Sequence, residues 1–243
     1  MDQAPFKVLV FSKTRGFRHE SIPAGIAALQ RQAESSKTSS TPFSVEATED
    51  SQVFNPDILR NYRVIVFLQA SGNFLDNDVQ LDALKRFVHE GGGIVGIHCA
   101  STGMPSSDWY GHLIGGVFTE HPEPQDGQIT IEDPTHAILS LEIASTSLND
   151  TKDKCTTLTR DWHDEWYNFK VNPRLNNVHV LLTVDESTYH GGSLRDDHPI
   201  AWCQEFEGAR SFYTALGHFD EAYEDDWFVS QVLNGIMWTA KII

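Results

Sequence analysis

The stretch GGGIVGIHCAS, residues 91–101, consists of a glycine turn, a short apolar strand and a polar loop. The strand ends at Ile97, and the first reactive side chain after it is His98, followed by Cys99. A short strand of apolar residues is typical of a parallel sheet that is buried on both faces. Because ligands bind at the carboxyl ends of the strands in such sheets, we expect His98 to lie at a functional edge.

The segments before this stretch alternate between strands and helices. Strands are predicted at Lys7–Ser12, Phe43–Ala47 and Val64–Leu68. One helix is predicted to begin near Ile22, and another to begin with Asp76 as its N-cap and to stop at Gly91. Strand–helix–strand order of this kind predicts a mostly parallel sheet with right-handed crossovers and helices on both faces.

The second half of the chain has a different pattern, with short strands joined by turns. Its strands are predicted at 127–133, 164–169, 178–184, 199–204 and 209–215, and a final helix carries apolar residues at helical spacing. We expect these strands to extend the sheet as antiparallel hairpins. Because the 243 residues contain no convincing linker, we predict one α/β domain over residues 1–243.

Composition excludes several classes of partner. The chain has 18 Lys and Arg against 34 Asp and Glu, a net charge of -16, which opposes binding to nucleic acids and anionic membranes. No apolar run approaches the roughly 20 residues of a membrane span. Cys99, Cys155 and Cys203 lack the spacing of a disulfide framework or a thiolate zinc site. We expect a cytoplasmic protein with a small-molecule partner, and homo-oligomerisation through the edge aromatics or last helix is left open.

Three histidines follow three predicted strands, at what is expected to be one edge of the sheet. His19 follows the first strand, His98 the fourth, and His218 the strand within SFYTALGH. Three imidazoles, or two imidazoles with a carboxylate, suit zinc, iron or manganese when one coordination position stays open. The same side chains can also work without a metal, since imidazole titrates near neutrality.

The segment RDWHDEWYNF, residues 160–169, adds a carboxylate to this set. If it is extended, His163, Glu165 and Tyr167 share one face. Glu165 then positions a proton or completes a metal site. A single histidine after a strand is more often structural than catalytic, and Cys99 is expected to be buried and unreactive. The prediction therefore depends on the three histidines meeting at one edge.

Seven segments together resemble a known family, in order across essentially the whole chain. They are FSKTRGFRHESI, GGGIVGIHCAS, DWYGHLIGGVFTEHP, DEWYNF, VLLTVDESTYHGG, DHPIAWC and SFYTALGH. Together they are similar to the trehalose-utilisation (ThuA-like) family. This family resembles the class I glutamine amidotransferase-like superfamily, which implies a flavodoxin-like α/β fold.

The resemblance also implies a departure from amidotransferase chemistry. Amidotransferases carry a nucleophilic Cys at the sharp turn after the strand that matches Gly93–Ile97, and here that position holds His98. Cys99 comes one residue later. His218 matches the histidine that activates the Cys, and Glu221 approximates its acidic partner. A thiol nucleophile is therefore missing, and we do not expect glutamine hydrolysis.

The resemblance implies that the substrate is a disaccharide or keto-sugar, because bacterial members of the family are linked to oxidoreductases that produce 3-keto disaccharides. A keto group acidifies the neighbouring C–H bonds, so clustered imidazoles provide a base and an electrophile. The expected catalytic residues are His98, His218 and Glu165, and the expected metal ligands are His19, His98 and His218. The expected substrate contacts are Arg18, Trp109, Tyr167 and Tyr189.

Two other functions remain open at this point. One is a metal-dependent hydrolase or lyase in the same pocket. The other is a non-catalytic ligand-binding or regulatory protein. The missing nucleophile favours it, because one fold can host unrelated functions.

Overall fold

Most of the strands predicted from apolar runs form one mixed sheet. A computed structural model describes residues 4–37, 40–140 and 158–243. Its strands in chain order are β1 Phe6–Phe11, β2 Phe43–Thr48, β3 Val64–Leu68, β4 Gly93–Ile97, β5 Phe118–Glu120, β6 Gln125–Ile131, β7 Leu158–Asp164, β8 Asn168–Phe169, β9 His179–Asp185, β10 Pro199–Phe206 and β11 Ala209–Thr214.

Nine of these strands pair in the order β2-β1-β3-β4-β11-β10-β9-β6-β7. The first five are parallel to one another, and each remaining neighbour pair is antiparallel. Strands β5 and β8 form a separate two-stranded antiparallel sheet. The predicted parallel sheet with antiparallel additions is therefore present, but β11, from the second half of the chain, is parallel to β4 and completes the parallel part.

Five α-helices in the described ranges accompany the sheet: α1 Ile22–Ser36, α2 Pro56–Leu59, α3 Asp78–His89, α4 Asp108–Ile114 and α5 Asp226–Thr239. Strand β4 is covered on both faces, because a side chain at Gly93 would meet Thr239 of α5, whereas one at Gly96 would meet Ile114 of α4. The core lies between these layers. No helix among the described residues has the length and apolar character of a membrane span.

The structure corrects the predicted start of α3. The N-cap is Asn77, whose side chain accepts a hydrogen bond from the backbone N–H of Gln80. Asp76 instead contacts the side chains of Lys13 and Arg15. The amide of Asn77 therefore caps α3, while the carboxylate of Asp76 pairs with two cations in the loop after β1.

The predicted strand over residues 164–169 is interrupted. Strand β7 ends at Asp164 and β8 begins at Asn168, so Glu165 to Tyr167 form a connection. The Asp164 side chain accepts the backbone N–H of Glu165, which turns the chain away from the extended path. All side chains from Asp164 to Phe169 are buried, and an alternating strand with one exposed face cannot account for this.

Candidate active site

Four side chains from separate parts of the chain meet at the carboxyl ends of the parallel strands. They are His19 from the loop after β1, His98 directly after β4, His218 after β11, and Glu165 from the β7–β8 connection. One potential ligand atom from each lies within 4.8 Å of the others. We call these four residues the His–Glu cluster. The predicted meeting of the three histidines at one edge is present in this geometry.

His98 is held in one orientation by a strained turn. Its φ angle of 53° lies in the left-handed region, which non-glycine residues adopt only when the surrounding structure over-determines them. The Nδ1 atom lies 2.6 Å from the carbonyl oxygen of Ala215. Since a carbonyl oxygen only accepts, Nδ1 carries the hydrogen and Nε2 directs its lone pair into the cluster.

The orientation of His19 depends on Cys99. The thiol of Cys99 donates to the carbonyl oxygen of Gln69 at 3.1 Å, so its sulfur is left to accept from His19 Nδ1 at 3.5 Å. His19 Nε2 then also carries a lone pair, and it lies 3.1 Å from Nε2 of His98. Two nitrogens at this distance can share a hydrogen or bind one cation, and the Tyr167 hydroxyl also lies 2.9 Å from Nε2 of His98.

Glu165 supplies the negative charge at the centre of the cluster. Its Oε2 atom lies 3.2 Å from His98 Nε2, 3.3 Å from His218 Nδ1 and 3.8 Å from His19 Nε2. These contacts have the length of ion pairs. Yet within the described part of the chain, both buried atoms, Glu165 Oε2 and His218 Nδ1, lack a hydrogen-bond partner. Buried polar atoms are nearly always satisfied, so such a pair points to a ligand between them.

The electrostatics of the cluster couple its members. Burial raises the pKa of the Glu165 carboxyl, but its contacts with the imidazoles outweigh burial and hold this pKa far below its ordinary range. Burial and the charges of His98 and His218 lower the pKa of His19, despite the opposing contact with Glu165. Burial lowers the pKa of His218 as well. The contact with Glu165 and the charge of Asp164 outweigh burial, so the pKa of His218 is raised.

The turn that carries His218 is anchored by a buried carboxylate and a buried amide. Asp164, fully buried, accepts the backbone N–H groups of Gly217 at 2.9 Å and His218 at 3.3 Å. Gln69 donates to the carbonyl oxygen of Gly217 at 2.6 Å. Gly217 has a φ of 112°, a conformation that a side chain would strain. The orientation of His218 therefore depends on Asp164 and Gln69.

The cluster opens into a pocket of about 550 Å³. This pocket is lined by Phe17, Arg18, His19, Glu20, Ser21, His218, Phe219, Asp220 and Glu221. Its volume lies within the range of about 300–1,000 Å³ that small-molecule sites occupy. A larger cavity of about 640 Å³ opens at the opposite edge, beside Arg63 and Gly92, which precede β3 and β4. That cavity is therefore remote from the cluster.

The family of the chain follows from comparison with known proteins. The model of the family described as trehalose utilisation, ThuA, matches residues 7–239. The chain belongs to this family. The family suggests a carbohydrate-related role. Among curated proteins, none matches the chain.

Solved structures agree with the ThuA assignment. A ThuA-like protein from Bacteroides uniformis is 25% identical, with a TM-score of 0.70 over 96% of this chain and 91% of the other. One from Parabacteroides merdae is 18% identical, with a TM-score of 0.72 over 98% and 90%. A Salmonella typhimurium protein described as cytoplasmic is 10% identical, with a TM-score of 0.57 over 96% and 99%, which is a likeness of fold alone.

The predicted substrate contacts of this ThuA protein are scattered. Tyr167 is buried and its hydroxyl lies 2.9 Å from Nε2 of His98. Arg18 lines the mouth of the pocket but pairs with Glu49 at 2.7 Å. Two aromatic side chains lie outside the cluster: Trp109 donates to Glu207, and Tyr189 contacts His198.

The other predicted partners also differ in the ThuA structure. The carboxylate that contacts His218 is Glu165, whereas Glu221 lines the pocket. His163 does not share a face with Glu165, because β7 ends between them, and it pairs with Asp126 at the surface. Cys99 is buried, as expected, and burial together with the Glu165 charge raises the pKa of its thiol to about 12. Such a thiol is a poor nucleophile.

Sequence reasoning missed His121. Its Nε2 lies 3.5 Å from Oε1 of Glu165, and its ring stacks on Tyr167 with centroids 5.5 Å apart. His121 follows the three-residue strand β5, which is too short to produce an apolar pattern. The TEHP motif within the ThuA-like segments was the only sequence feature that includes it.

A second pair, also missed, joins the buried His198 to the partly exposed Glu186 and supports the connection that carries Glu165 and Tyr167. His198 Nε2 donates to the carbonyl oxygen of Tyr167 at 2.8 Å. Its Nδ1 lies 2.8 Å from both Glu186 Oε1 and the Tyr189 hydroxyl. Glu186 Oε1 also accepts the backbone N–H of Leu194. This pair ties the β7–β8 connection to the connection between β9 and β10, residues 186–198.

Replacing His198 with alanine is expected to lower the free energy of unfolding by about 3–5 kcal/mol, the usual cost of breaking a buried charged pair. The change leaves the Glu186 carboxylate and the Tyr167 carbonyl without their partner. Urea denaturation measures this effect. The control is His179→Ala, which removes an exposed histidine paired with Asp133 and is expected to cost less than about 1 kcal/mol. Equal costs for the two variants would contradict a supporting role for His198.

Proposed function

We propose that this ThuA-family protein is an enzyme of carbohydrate metabolism that acts on a disaccharide or keto-sugar by proton transfer at the His–Glu cluster. The observation that carries the proposal is the approach of four ligand atoms, from four segments, to within 4.8 Å of one another. Family membership supplies the carbohydrate class. Strained residues cluster at active sites and ligand clamps, so the left-handed φ of His98 supports a functional role for this turn.

We further propose that the cluster holds a divalent ion such as zinc, iron or manganese. Three imidazoles and one carboxylate are a donor set that suits these metals. The 3.1 Å approach of the Nε2 atoms of His19 and His98, and the buried atoms of Glu165 and His218 described above, support the presence of a cation. When bound, such an ion acts as a Lewis acid that polarises a sugar carbonyl or hydroxyl oxygen.

In this proposal the cluster residues divide the remaining work. His19, His98 and Glu165 would hold the metal, and the two rings are fixed by Cys99 and Ala215. His218, the most exposed histidine of the cluster, lines the pocket and accepts the proton from a C–H bond beside the sugar carbonyl, while the electron pair of that bond moves towards the carbonyl oxygen. A metal-dependent hydrolase or lyase would use the same donors, and the bond that changes distinguishes the two.

Two finer parts of this proposal concern the fold and the location. The order β2-β1-β3-β4-β11 matches the 2-1-3-4-5 order of flavodoxin-like sheets, which supports a flavodoxin-like parallel half. We also propose a cytoplasmic location, in line with the Salmonella typhimurium neighbours described as cytoplasmic.

Metal analysis of the purified protein tests the metal part of the proposal. We expect zinc, iron or manganese at close to one ion per chain after gentle purification, and its loss in His19→Ala. The matched control, His112→Ala, removes a histidine on α4 outside the cluster and should keep the metal. A protein that carries no metal, and takes up none on reconstitution, would leave only metal-free acid–base catalysis.

A further inference from the structure

A second cavity adjoins the pocket of the His–Glu cluster. It has a volume of about 380 Å³ and is lined by Trp162, His163, Phe219, Glu221, Ala222 and Asp225. Phe219 and Glu221 line both cavities. We call these two adjoining cavities the groove; its lining extends from His19 and His218 to Trp162 and His163 of the edge strand β7. A ligand at the cluster that extends past Phe219 would enter the second cavity.

A row of rings runs along this groove. The centroids of Phe17 and His19 lie 4.8 Å apart, and those of His19 and His218 lie 5.0 Å apart. Phe219 follows at 4.4 Å from His218, and His163 at 5.3 Å from Phe219. Ring faces and edges of this kind contact the C–H faces of a sugar, while polar groups beside them bind its hydroxyls.

The charge of the groove selects against anions. Carboxylates of Glu20, Asp220 and Glu221 line the cluster pocket, and Asp225 lines the second cavity. The two nearby cations are occupied, since Arg18 pairs with Glu49, and Arg160 pairs with Asp225 while stacking over Trp162. Such a surface repels phosphate and carboxylate groups, whereas carboxylates accept hydrogen bonds from hydroxyls.

We propose that the second cavity is a subsite for the second ring of an unphosphorylated disaccharide whose first ring lies at the His–Glu cluster. Phe219 and His163 contact the second ring, and Glu221 accepts hydrogen bonds from its hydroxyls. This subsite rests on the proposed function, because it assigns the distal half of the same substrate. It makes the groove selective for two-ring over one-ring sugars and for neutral over phosphorylated ones.

The test is calorimetric titration of the whole, metal-loaded protein with trehalose, maltose and cellobiose, their 3-keto forms, glucose and trehalose 6-phosphate. At least one neutral disaccharide is expected to bind roughly tenfold more tightly than glucose, and the phosphorylated sugar more weakly than trehalose. Phe219→Ala and His163→Ala are each expected to weaken disaccharide binding by roughly threefold to tenfold, the range of one aromatic contact.

Matched controls come from the opposite edge of the sheet. His89 is an exposed histidine whose contact with Glu207, at 2.7 Å, has the same length as that between His163 and Asp126. Phe206 is half-buried, like Phe219, and packs against Trp109. His89→Ala and Phe206→Ala are expected to keep disaccharide affinity, and thermal unfolding checks that all four variants fold.

The outcomes separate the subsite from the proposed function. Turnover of disaccharides and glucose with equal efficiency, unaffected by Phe219→Ala and His163→Ala, would overturn the subsite and leave the enzyme proposal standing. Selective disaccharide binding that both variants weaken, without any product formed in the presence of zinc, iron or manganese, would support the subsite and overturn the enzyme proposal. Binding of trehalose 6-phosphate in preference to trehalose, or no binding of any sugar tested, would overturn the subsite.

Discussion

Replacement of His98 with asparagine is expected to lower turnover of a disaccharide or keto-sugar substrate by about a thousandfold or more. The change removes the Nε2 atom that contacts His19 and Glu165. Asparagine is chosen because it tolerates the left-handed φ of 53° better than most residues, so the turn after β4 should survive. Initial rates with a panel of 3-keto disaccharides measure the effect.

The control for this variant is His89→Asn, which alters an exposed histidine in contact with Glu207 at the opposite edge of the sheet. Its rate should match that of the unaltered protein. Thermal unfolding of the His98 variant distinguishes lost chemistry from lost structure. A folded His98→Asn protein that turns over substrate at the normal rate would remove the His–Glu cluster from the mechanism.

Glu165→Gln is expected to weaken zinc binding by about a hundredfold or more, because it deletes the carboxylate close to all three imidazoles. The amide has nearly the same shape, so packing around it is preserved and the charge is what changes. Turnover should fall with the loss of this ligand. Competition with a chelating dye measures the zinc affinity of the metal-free protein.

Glu207→Gln provides the matched comparison, since Glu207 also contacts a histidine, His89, but lies at the opposite edge of the sheet. It is expected to keep zinc affinity and turnover. If Glu165→Gln retained both as well, the carboxylate would not be a metal ligand. The histidines would then have to perform the chemistry without it.

Much of the fold is predictable from the sequence because burial leaves a local pattern. Val64–Leu68 and Ile94–Ile97 are apolar at every position except Gly96, as strands covered on both faces must be, and both form central parallel strands. His19, His98 and His218 could be grouped for the same reason. Each follows a recognisable strand, and parallel strands end at the same edge.

The connections between strands carry no such pattern, so the positions of their side chains were predicted less well from the sequence. Glu165 was expected on an extended strand beside His163, but hydrogen bonds to Asp164 bend the chain and separate the two residues. Trp109 and Tyr189 were expected to contact substrate, yet they lie against Glu207 and His198. Composition alone does not separate an aromatic residue at a site from one in ordinary packing.

The sequence by itself determined most of the strands, and that three of them are followed by a histidine, because these features depend on residues close together in the chain. The tertiary structure alone decided that Glu165 reaches those histidines, that His121 joins it and that the groove continues past Phe219. These depend on hydrogen bonds between distant segments, such as those from Gly217 and His218 to Asp164, whose energies no local pattern records.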